Sequence, residues 1–163
     1  MMLGLSLSAF TTLHVVISLI AIAAGLIVMF GMLGPYHPGG LTGLFLLFTI
    51  LTSVTGFMFP FNGVTPGILV GILSCILLAI ACAALYAMHL AGAWRWIYVV
   101  TALVSLYLNV FVLVIQSFLK IPPLHEIAPG EPPTGLAINA VQGIVLVFFA
   151  VMIFRVWRRF KPA

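Results

Sequence analysis

The chain contains no aspartate, and its only carboxylates, Glu126 and Glu131, lie five residues apart. No apolar segment therefore holds an acidic pair for hydrolysis, and no nucleophile sits beside a plausible base in sequence. Proton-coupled transport usually wants a carboxylate within a span, and without one His14 is the sole candidate relay. Charge of either sign is scarce: 5% of 163 residues are charged, against roughly 25% in a soluble domain. With 64% hydrophobic residues the chain cannot cover a water-facing surface, so the bilayer is its solvent. Only two cysteines occur, Cys75 and Cys82, in one apolar run. On a helix they stand about 10 Å apart along the axis, beyond disulfide reach. Met1 to Ser8 carry no positive charge, and the following apolar run exceeds the roughly 7 to 15 residues of a signal-peptide core. The first segment is read as a retained helix.

Long apolar runs are what the chain has in abundance. Five approach the roughly 20 residues that cross a hydrocarbon core: 9–33, 41–59, 66–90, 94–119 and 135–157. The breaks have mechanisms, since Gly34-Pro35-Tyr36-His37-Pro38-Gly39-Gly40 and the 60–66 stretch combine helix-ending and turn-forming residues. Thr65 followed by Pro66 predicts a cap and first turn for the third helix. The predicted fold is an all-α integral membrane protein, a single domain over 1–163 built as a five-transmembrane-helix bundle.

Alternating helices put Arg95, Arg155, Arg158, Arg159 and Lys161 at one end, and Lys120 with Glu126 and Glu131 at the other. The positive-inside rule then places the N-terminus outside and the C-terminus in the cytoplasm. Trp94, Trp96, Tyr98 and Trp157 form the expected aromatic belt at the cytoplasmic interface, where His37 and His89 are read as interfacial residues. The basic tail is a topology and lipid-headgroup signal, and no nucleic acid is expected as a partner. Small residues at four-residue spacing, Ala21 with Gly25 and Gly67 with Gly71, Cys75 and Ala79, are read mainly as packing within the chain.

In the fourth run Thr101, Ser105, Asn109, Gln116 and Lys120 recur along one helical face. Amides are costly in hydrocarbon unless partnered, so this face should look into the bundle. Counting about 1.5 Å per residue from each helix end places His14, Thr55, Asn109, Gln116, Asn139 and Gln142 in the outer half, with Ser18, Thr52 and Ser53 slightly deeper. The inner half is nearly all Leu, Ile, Val, Ala and Phe. Above the polar groups lies the outer loop 120–134, whose five prolines predict a semi-rigid cover carrying His125 and Glu126. Two readings stand side by side: hydrogen-bond glue between helices, worth roughly 1 kcal/mol per bond, and a ligand pocket lidded by that loop.

Bis-histidine haem fails on distance, because His14 and His89 fall at opposite ends, roughly 20 Å or more apart. His14 with His125 or Met58 leaves a haem or a copper ion geometrically open, without any HxxxM or CxxC spacing to support it.

Trp94-Arg95-Trp96-Ile97-Tyr98, Tyr107-Leu108-Asn109-Val110-Phe111 and Gln116-Ser117-Phe118-Leu119-Lys120-Ile121-Pro122 are similar to a family of small bacterial inner-membrane proteins that carry no assigned activity. The resemblance covers most of the chain, including His14 and 52–60. It implies a bacterial inner membrane and transfers no functional residue.

The leading functional expectation is an outward-facing pocket for a small polar or amphipathic molecule, such as a lipid headgroup or quinone, in a binding or transport-related protein. His14, Thr55, Asn109, Gln116, Lys120, Asn139 and Gln142 would line it. The alternatives are an accessory subunit of a larger membrane complex and a haem or copper redox module near His14. Membrane lipids are expected neighbours, and transport through so small a chain would call for a homo-oligomer.

Overall fold

The computed structural model describes residues 3–160, so Met1 and the basic Lys161 lie outside the described residues. Six α-helices follow one another: α1 (Leu7–Gly31), α2 (Gly40–Phe57), α3 (Pro66–Cys82), α4 (Trp94–Lys120), α5 (Pro122–Ile127) and α6 (Leu136–Arg159). All but α5 are long and apolar enough to span a membrane, α3 being prolonged by a π-helical turn over Ala83–Ala87.

Helix limits follow local chemistry. Ser6 caps α1 by accepting from the Ala9 backbone N–H at 3.2 Å, which starts the helix two residues before the expected boundary. Thr65 accepts from the Ile68 N–H at 3.3 Å with Pro66 in the first turn, as its sequence predicts. The third span stops at Ala87 rather than at 90 because His89 and Leu90 both take left-handed backbone (φ 50° and 57°), which no right-handed helix can continue. The cover expected after α4 contains a short helix, α5. Pro122 and Pro123 occupy its first turn, where a missing N–H and a fixed φ cost nothing.

α4 is the hub, packing against α1, α2, α3, α5 and α6. α1, α2 and α3 follow each other around it, and α1 closes the ring onto α4, while α6 lies outside the ring against α4. Close approach is written in two glycines. A Cβ on Gly25 would lie 2.6 Å from Leu106 Cδ1 and 2.8 Å from the Phe45 ring, and one on Gly71 would lie 2.8 Å from the Phe57 ring. Both small-residue patterns therefore serve packing within the chain at these positions, whereas Gly67 and Ala79 are exposed. Cys75 and Cys82 are free.

The main core is confined to the end where Arg95, Arg155, Arg158 and Arg159 lie. It takes α1 from Ala24 onward, α2 up to Leu46, α3 from Leu78, α4 up to Leu106 and α6 from Phe149. Toward the Lys120 end packing loosens: Phe10 is the only buried residue of the first two turns of α1, and no residue of α3 before Ser74 is buried. A second, smaller cluster of Phe118, Ala128 and Ile138, with Leu124 against it, pins α5 and the start of α6 to the end of α4.

One expectation is corrected at the arginine end. Tyr98 is no part of an interfacial belt: it is fully buried, because its hydroxyl meets that of Tyr36 at 2.9 Å. Tyr36 also meets Thr42 Oγ1 at 2.8 Å, and Phe160 packs on both tyrosine rings. Burial pushes the Tyr36 phenol above its ordinary pKa, against the opposing hydrogen bonds, and it stays protonated at neutral pH. Tyr98→Phe is expected to lower stability by about 1 kcal/mol, since Tyr36 keeps Thr42 as a partner. A modest fall in the thermal midpoint in detergent checks it. Trp96 and Trp157 do pair, at 5.4 Å, with the Arg95 guanidinium 4.1 Å from the Trp96 ring.

Candidate functional site

The polar residues singled out in the sequence fall into three groups. His14 of α1 and Thr55 of α2 meet directly, His14 Nδ1 lying 2.7 Å from Thr55 Oγ1. Phe59 closes over the imidazole edge-on at 5.3 Å and also packs on Phe10 at 5.1 Å, so the ring is held between the two helices. Gly56 lies beside the ring, and a Cβ there would make an ordinary 3.7 Å contact with His14 Cε1. Lys120 is the last residue of α4 and is exposed.

The second group runs down α4. Leu106 faces α1 at Gly25, and Asn109, Gln116 and Lys120 follow it on the same side of the helix. α1 and α4 are antiparallel here, so positions can be counted from the Gly25–Leu106 contact. At 1.5 Å per residue, His14 comes out level with Gln116 to Lys120, while Asn109 lies roughly 12 Å deeper, just on the Lys120 side of the middle of α4. Exposure follows that order. Thr101 and Ser105 are buried, Asn109 is half-buried with its Nδ2 out of contact with solvent, and Gln116 and Lys120 are exposed. The stripe is sealed at the arginine end and open at the Lys120 end.

A third group lies apart. Gln142 approaches α4 from α6 and donates from Nε2 to the Phe111 carbonyl at 3.0 Å, on the far side of α4 from Asn109. Its Oε1 is buried without a partner. Asn139 is exposed beside Ile138, the residue that packs on Phe118. The structure thus brings His14 and Thr55 together, sets Gln116 and Lys120 at about their level on α4 with Asn109 below, and leaves Gln142 and Asn139 on the α6 side. Gln142→Met is expected to change stability by less than about 1 kcal/mol, because it removes an orphaned oxygen along with one bond and the Phe111 carbonyl keeps its place in the helix. Unfolding of the purified variant measures this. In α5, His125 is half-buried with Nδ1 unpartnered, and Glu126 is exposed.

Hydroxyls contribute less to holding helices together than their number suggests. Ser18, Thr49, Thr52, Ser53, Thr101 and Ser105 each donate to the carbonyl four residues earlier in their own helix. Among the described residues the side-chain bonds that join two spans are His14 with Thr55 and Gln142 with Phe111. Asn109 Nδ2 is the exception to all of this: an amide donor buried in a membrane bundle with no acceptor. The sequence reading missed the Phe10–Phe59 bracket around His14. Aromatic residues one turn before the histidine and at the end of the next helix were its only trace.

Among the described residues no three His, Cys, Asp or Glu side chains gather where they could hold a metal ion. Compared with family models, curated proteins and solved structures, the chain matches none.

Proposed function

We propose that the chain binds a small polar or amphipathic molecule, such as a lipid headgroup or quinone, in the loosely packed half of its bundle. Asn109 carries the proposal. An unpaired buried amide costs about 1–3 kcal/mol, an expense that a bound polar group or the water it displaces would offset. His14, Gln116 and Lys120 form the rim of the site, Asn109 its floor, and Lys120 favours an anionic or electron-rich group.

The arginine end faces the cytoplasm in this proposal, because Arg95, Arg155, Arg158 and Arg159 oppose Lys120 alone among the described residues. The site then opens outward, at the Lys120 end, in a bacterial inner membrane. Substituting Asn109→Leu and Gln116→Leu together tests the reading. Ligand binding is expected to vanish while the circular dichroism of the helices and the elution of the monomer stay unchanged. Collapse of the fold instead would make these residues structural.

A further inference from the structure

The tautomer of His14 selects the chemistry of the ligand, a step that rests on the binding site just proposed. Thr55 Oγ1 makes two short contacts, 2.7 Å to the Leu51 carbonyl and 2.7 Å to His14 Nδ1. A threonine hydroxyl has one hydrogen and a carbonyl oxygen can only accept. Without that hydrogen between them, the Leu51 and Thr55 oxygens would oppose lone pair to lone pair at 2.7 Å. The hydrogen therefore belongs to Leu51, the hydroxyl accepts from His14, and Nδ1 carries a proton. In the neutral ring Nε2 is left as the lone-pair nitrogen. Among the described residues Nε2 has no protein partner, and it is not among the buried unpartnered atoms, so it is open to a ligand.

We infer that His14 Nε2 accepts a hydrogen bond from a ligand hydroxyl, so that the site takes a hydroxyl-bearing amphiphile. The surroundings divide the donors and acceptors accordingly. Lys120 at the rim can only donate, and it suits an oxygen of the same ligand. Nε2 is the acceptor that a hydroxyl requires. Leu13 and Val16, exposed on α1 on either side of the histidine, give an apolar chain a surface to follow. Two sources share this chemistry: the ring hydroxyl of a quinol and the glycerol headgroup of a lipid.

The test uses the full chain in detergent, labelled with ¹⁵N-histidine, with His14 assigned by the signal missing in His14→Gln. Nε2 is expected to resonate as an unprotonated nitrogen, and Thr55→Val is expected to let the two tautomers mix. Two matched pairs of probes follow: a short-chain quinol against its di-O-methyl ether, and phosphatidylglycerol against phosphatidylcholine. The hydroxylated member of one pair should shift Nε2 and bind at least about ten-fold tighter than its capped or hydroxyl-free counterpart, and the pair that responds identifies the source. A protonated Nε2 in the free protein, equal binding within both pairs, or no binding by any of the four overturns the inference. A bound native ligand lacking a hydroxyl would overturn it while leaving the binding site standing. A protein that carries no ligand at all would remove the site itself.

Discussion

Gly25→Leu is expected to leave no folded monomer. At Gly25 the α1 backbone comes close to both α2 and α4, and even a Cβ would press to 2.6 Å from Leu106 and 2.8 Å from Phe45. Leu106 Cδ1 is the end of a flexible side chain and can turn aside, but the Phe45 ring is fully buried in the main core and has no space to enter. Gly25→Ala should therefore cost about 1–3 kcal/mol, the usual range for overpacking a filled core. Three further carbons would force α1 away from both neighbours and open the arginine end, a loss of more than about 4 kcal/mol. Gly143→Leu is the control. Nothing lies within 4 Å of a Cβ at that position on α6, and the variant should elute and unfold as the parent does. Size exclusion and thermal unfolding in detergent read all three, and a folded, monomeric Gly25→Leu would show that the α1–α4 contact is misassigned.

Asn109→Leu is expected to raise stability while abolishing binding. A buried donor without an acceptor destabilises the empty protein, and a leucine of similar size removes the deficit, a gain of about 1–3 kcal/mol. Hydrogen-bond glue predicts the opposite sign: if the amide joined two helices, its loss would cost roughly 1 kcal/mol. The direction of the shift in thermal midpoint, measured without added ligand, separates the two readings. Binding and stability should trade against each other at this residue and not at Gln142, whose amide already spans a seam between helices.

The spans were legible because their signal is length and apolarity, which a bilayer imposes directly on sequence. Thr65-Pro66 was legible because a cap is local chemistry. The end of α3 was not, since left-handed backbone at His89 and Leu90 leaves no compositional mark when neither residue is glycine. α5 hid behind prolines that normally signal irregular chain but also suit a first helical turn. At the site, counting along helices placed His14 and Thr55 at one depth, and they touch. The same counting did not show how far Asn109 lies below His14, because a depth reckoned from each helix end ignores how antiparallel helices slide along each other. The Gly25–Leu106 contact, visible only in three dimensions, supplies the register. Which side of α4 a polar residue faces was equally hidden for Gln142, whose partner is a backbone carbonyl and carries no residue-type signature.

Native mass spectrometry of the gently extracted protein tests the binding site most directly. Parent chains should carry a stoichiometric small mass that is absent from Asn109→Leu prepared in the same way. Chains of bare polypeptide mass in both preparations would contradict the account.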